Sequence, residues 1–155
     1  MSCTPQMLLE AASHVLETAA FMTVEPTAEP GDWRDGLEAR LSFGAPLEGT
    51  LRVAAPRALA QAVAAGLMGC DPNDPSAVEA ARDALGELLN QVAGVLAWRL
   101  LGDRQTCPLG IPEVGPAGGA PEAGAGSLGV FLRVEDQYPL FFAAQLQPRT
   151  AGAAP

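Results

Sequence analysis

The chain has 155 residues, 48% of them hydrophobic and 17% charged, which excludes a disordered polymer and suits one domain with its own core. Its 18 acidic residues outnumber 9 basic ones, for a formal net charge of -9; this argues against nucleic acid and anionic membrane surfaces, whose phosphates need a basic footprint. Every basic residue is Arg, so Schiff-base and P-loop lysine chemistry are excluded.

In chain order, Leu8, Ala11, Ala12, Val15, Leu16 and Ala19 recur at helical spacing and predict a helix over 5–21, with Thr4 as its N-cap and Pro5 at its first position. Residues 23–33 read as a polar connection. The period then becomes two: Leu37, Ala39, Leu41 and Phe43 alternate with polar residues, Gly44-Ala45-Pro46 turns, and Leu47 to Val53 resumes an extended arm, so a hairpin is expected. Pro56 opens a second helix that Gly69 closes. Residues 71–75 form a loop, and Ser76 with Glu79 reads as a capping box that launches the longest helix, to about Leu101. Residues 115–126 are almost wholly Gly, Ala and Pro and predict a mobile loop. Leu128, Val130 and Leu132 start a second hairpin, which turns at 135–137 and returns over 138–146. Residues 148–155 read as a disordered tail, leaving one domain over 5–147. The order of elements predicts an α+β fold, a mostly antiparallel sheet with helices packed on one face.

Cys3, Cys70 and Cys107 form no CxxC pair, so a disulfide framework or zinc cluster is not expected. The start lacks a signal-peptide pattern and Arg99 interrupts the longest apolar run, which predicts a cytoplasmic protein without a membrane span.

The long helix carries the most informative pattern. At about 100° per residue, Leu85, Leu88, Leu89, Val92, Val95 and Leu96 share one arc, while Asp83, Glu87, Asn90 and Gly94 line the opposite side. Such a line is most simply a solvated helix face. Two features set it apart: Asn90 is a weak helix former in mid-helix, and Gly86 and Gly94 each cost about 1 kcal/mol relative to Ala. Their shared use is close approach by another backbone, so this face is expected to dock a partner, with Trp98 further along it as a candidate anchor. Trp33 is a second candidate anchor. The lone His14 reads as a surface histidine, and Arg82 lies too far round the helix to offset both acids.

The run Asp83-Ala-Leu-Gly-Glu87-Leu-Leu-Asn90-Gln-Val-Ala-Gly94, followed by Pro112, resembles the signature of the CheX, CheC and FliY chemotaxis phosphatases. Gly49-Thr-Leu-Arg-Val and the stretch from Leu59 to Gly69 are similar to the family's strand and helix before the motif. The first helix offers Ser13 and Glu17 but has Ala20 where a second Asn would stand, which is similar to one-site CheX rather than two-site CheC. The resemblance implies removal of the phosphoryl group from the aspartyl phosphate of a response-regulator receiver domain. It makes Glu87 and Asn90 the catalytic pair, with Asp83, Gly86, Gly94 and Trp98 in partner docking. It implies no metal or cofactor of the chain's own, since the receiver supplies Mg²⁺, and it implies a strand-mediated homodimer, against which the 115–126 insertion stands as a departure from the family pattern. Two alternatives stay open: a non-catalytic module of the same fold that binds a receiver or a flagellar-switch partner, and a small-molecule sensor.

Overall fold

Thr4 caps the first helix, its side-chain oxygen accepting the Met7 amide hydrogen bond at 3.1 Å, and Pro5 occupies the first turn of α1 (Pro5–Ala19). The computed structural model describes residues 2–28, 31–102 and 105–149. The hairpin is present as β2 (Gly36–Phe43) and β3 (Leu47–Pro56), paired from Gly36↔Pro56 to Phe43↔Gly49. Gly49 is obligatory here. Its φ is +134°, and a Cβ would lie 1.7 Å from the carbonyl oxygen of Gln145. Pro56 then precedes α2 (Arg57–Met68), which Gly69 ends at φ +71°.

The capping box does not form as expected. Asp74 is the cap, its side chain accepting from the Ser76 amide at 2.9 Å, and it starts a short α3 (Pro75–Glu79). Ala80 departs from helical geometry at φ -85° and ψ 0°, and the long helix α4 begins only at Ala81 and runs to Leu101. An Asp directly before Pro75 competes better for the first turn than Ser76, which already lies inside it.

Two other expectations are corrected by strands at the sheet edges. Within 23–33, β1 (Val24–Pro26) pairs with β5 (Leu128–Val134), Val24 opposite Val134. Within 115–126, Gly115 and Pro116 belong to β4 (Glu113–Pro116), which pairs with β2 from Arg40↔Glu113 to Leu37↔Pro116. Both strands are short, contain Pro and occupy an edge, where a missing donor and a missing side chain are tolerated. After β4 the chain crosses the outer face of the sheet, where an Arg52 guanidinium nitrogen donates to the carbonyls of Glu122 and Ala123.

The last strand, β6 (Tyr138–Pro148), completes a six-stranded, wholly antiparallel sheet in the order β1-β5-β6-β3-β2-β4. Pro148 pairs with Leu47 and the Arg149 amide donates to the Pro46 carbonyl at 2.7 Å, so the expected tail begins inside a strand; residues 150–155 lie outside the described residues. Leu37, Leu51, Val53, Leu132, Leu140 and Phe142 meet α1, α2 and α4 in one continuous core on one face of the sheet. The opposite face carries a smaller cluster of Trp33, Ala54, Phe141 and Ala143. Trp33 is only 7% exposed and stacks edge-on with Phe131 at 6.5 Å, so it is a core residue and not a partner anchor.

Candidate functional site

The buried arc of α4 fixes what its other side displays. Leu85, Leu88, Leu89, Val92 and Leu96 are buried between the sheet and the neighbouring helices, while Asp83 and Glu87 are exposed and Asn90 is half-buried. The structure brings these three polar residues into one open cleft of about 470 Å³, lined also by Gly86, Leu109, Gly110, Ile111, Pro112 and Val114. One wall is therefore helical and the other is the segment that leads into β4.

That second wall is held at several points. The Gly110 amide donates to the Ser42 carbonyl at 2.8 Å, and Leu109 bridges Phe43. Arg82 donates to the Val114 carbonyl at 2.6 Å, tying β4 to α4 directly. Its guanidinium thus serves the wall and not the two acids. Gly86 completes the contact: a Cβ there would meet Pro112 at 3.4 Å and Val114 at 3.5 Å. The groups that approach Gly86 are side chains of this chain's own strand-side wall, and Gly86 lines the cleft beside them. Gly94 differs, because a Cβ there would meet nothing within 4 Å.

Of the cleft's acids, Glu87 accepts a hydrogen bond through Oε1 from Gln91 Nε2 at 3.0 Å, one helical turn on. Among the described residues the Asn90 carboxamide has no hydrogen-bond partner, so both its donor and acceptor functions are available.

Trp98 stands elsewhere. It is 63% exposed and lines a second groove, of about 540 Å³, between α1 and α4 with His14, Val15, Thr18, Gln91, Gly94, Val95 and Arg99. Gln91 lines this groove and not the cleft, and its hydrogen bond to Glu87 is what links the two depressions. Ser13, Glu17 and Ala20 lie on α1 and at its end; Ala20 is buried and lines neither the cleft nor this groove. Sequence reasoning missed Gln91, although its spacing of four from Glu87 was a usable signal, and it missed Ile111, for which no periodic signal exists.

The family model for "Chemotaxis phosphatase CheX" matches residues 39–121, a span that runs from β2 through the whole of α4 and past Pro112. The chain belongs to the CheX family. Solved CheX-related structures share its fold. CheX from Vibrio vulnificus superposes with a TM-score of 0.69 at 19% identity, covering 92% of this chain and 95% of that one. The CheX of a CheX-CheY-BeF3-Mg complex from Borrelia burgdorferi gives 0.62 at 18% identity, with 92% and 96% covered. FliY from Thermotoga maritima gives 0.56 at 17% identity, with 93% and 91% covered. No curated protein sequence matches the chain. The antiparallel sheet with helices on one face is thus the CheX-type fold that the motif implied, and among the described residues no helix is long and apolar enough to cross a membrane.

Proposed function

We propose that this CheX-family chain removes the phosphoryl group from the aspartyl phosphate of a receiver domain, with Asn90 and Glu87 as the working residues. The observation that carries the reading is their joint placement: both project into one cleft faced by Pro112, the three positions that carry the resemblance to the phosphatase signature. A relative of the same fold has been crystallised with CheY, BeF3 and Mg, which favours a receiver as the occupant of the cleft.

The chemistry asks little of the phosphatase. Receiver domains hold the phosphoaspartate and Mg²⁺ themselves, so the missing element is a positioned nucleophile. The free Asn90 amide can accept a hydrogen bond from a water through its oxygen and donate through its nitrogen, aligning that water in line with the scissile bond. The water oxygen bonds to phosphorus, the phosphorus–oxygen bond to aspartate breaks, the carboxylate is regenerated on the receiver, and inorganic phosphate leaves with the water's oxygen and protons. A gain of about 10²-fold, equivalent to about 3 kcal/mol, would suffice. Glu87 pairs with the receiver's lysine and sets the docking register, and Asp83, one turn earlier, adds to the same negative line. The whole reaction belongs in the cytoplasm, with its receiver.

The test is loss of phosphate from a panel of phosphorylated receivers of the source organism, with Mg²⁺, in the presence and absence of this chain. Acceleration of one receiver supports the phosphatase reading. Tight binding to a beryllofluoride-activated receiver without acceleration supports the non-catalytic module instead.

A further inference from the structure

Ile111 is 89% exposed, the most exposed of the large apolar side chains among the described residues. It is not exposed because its segment is loose. On one side, the Gly110 amide donates to the Ser42 carbonyl at 2.8 Å. On the other, Pro112 packs over Gly86 and Arg82 holds the Val114 carbonyl. The backbone is fixed at both flanks while the side chain is held out in water, which costs hydrophobic free energy that the isolated chain does not recover. Six large apolar residues are exposed among the described ones, Phe21, Leu67, Met68, Val78, Trp98 and Ile111, and Ile111 is the one that lines the cleft with Glu87 and Asn90.

We infer that Ile111 is a specificity-determining contact for the receiver, an apolar anchor on the strand-side wall that packs against an apolar side chain beside the receiver's phosphoaspartate. This rests on the phosphatase reading above and goes beyond it. The helical wall presents carboxylates and a carboxamide, groups that address features common to receivers; an apolar contact on the opposite wall distinguishes one receiver surface from another. The cleft is lined by both walls, so a body that seats an aspartyl phosphate against Asn90 meets Ile111 on the way. Ile111 touches neither water nor phosphorus in the reaction, so its contribution is made equally before and in the transition state, and it acts on KM and not on kcat.

The experiment compares wild type, Ile111→Ser and Phe21→Ser on the receiver panel, reading kcat, KM and thermal stability. Phe21 is 80% exposed and lies outside the cleft, so it controls for loss of an exposed apolar group. The expected result is an about tenfold higher KM for Ile111→Ser, equivalent to about 1.4 kcal/mol, with kcat and melting temperature unchanged and Phe21→Ser like wild type. A KM for Ile111→Ser equal to that of wild type, or a fall in kcat alone, overturns the inference while leaving the phosphatase reading intact. If wild type itself neither accelerates nor binds any receiver, the phosphatase reading fails and this inference fails with it.

Discussion

Gln91 Nε2 lies 3.0 Å from Glu87 Oε1, so the carboxylate proposed to set the docking register is itself oriented by the next turn of its own helix. The bond occupies one oxygen and leaves the other free for a cation. Gln91→Ala keeps the charge and removes the orientation, and helix propensity changes little. The expected result is a receiver KM about two- to fivefold higher with kcat unchanged, the scale of one modest hydrogen bond, and a smaller effect than that of Glu87→Ala. Steady-state kinetics on the two variants checks the order.

The two glycines of α4 separate under substitution. Gly86→Ala brings its Cβ to 3.4 Å from Pro112, an ordinary contact, whereas Gly86→Leu must displace that wall. Gly94→Ala enters open space. Both Ala variants should therefore hold or raise the melting temperature, by up to about 1 kcal/mol of helix propensity, and Gly86→Leu should lower it. If a partner backbone approaches α4 at Gly94, Gly94→Ala also weakens receiver binding while the free protein gains stability. Calorimetric melting and a binding isotherm on the same sample read both.

Gly49→Ala tests the hairpin beneath the helices. Its φ of +134° disfavours any L side chain, and the added Cβ would overlap the Gln145 carbonyl at 1.7 Å across the β3–β6 pair. A loss of more than about 3 kcal/mol, or no soluble folded protein, is expected; urea unfolding measures it.

Acid should loosen the contact between α1 and α4. The Glu10 carboxyl is held below its ordinary range, first by the Gln6 amide, which donates at 2.9 Å, and then by Arg99 of α4. A carboxyl with a lowered folded pKa contributes stability above its unfolded value of about 4.3, and loses it as pH falls through the folded value. Melting temperature followed from about pH 6 down to about pH 3 should therefore fall less steeply in Glu10→Gln than in wild type at the acid end.

Much of this fold was legible because its signals are local. The period-two run at Leu37–Phe43, the positive-φ stop at Gly69 and the cap at Thr4 each depend on a few neighbouring residues, and each appears where expected. The two edge strands were not legible. Val24–Pro26 and Glu113–Pro116 have poor strand composition, and each exists because β5 and β2 leave unpaired backbone groups at the margins of the sheet. Trp33 illustrates the same limit, since its burial depends on Phe131, far away in sequence. In the cleft, the helical wall was readable from the wheel, down to Glu87 and Asn90. The opposing wall was not, apart from Pro112, because Ile111 and Val114 reach it through tertiary pairing with no period of their own.

The most direct measurement is the rate of phosphate loss from the responsive receiver, with Mg²⁺, in the presence of wild type, Asn90→Ala and Glu87→Ala, alongside binding of each to the beryllofluoride-activated receiver. If Asn90 positions the water, Asn90→Ala loses about 10²-fold in kcat and keeps its affinity, while Glu87→Ala loses affinity first. An Asn90→Ala variant that dephosphorylates the receiver at the wild-type rate would contradict the proposed role of this cleft.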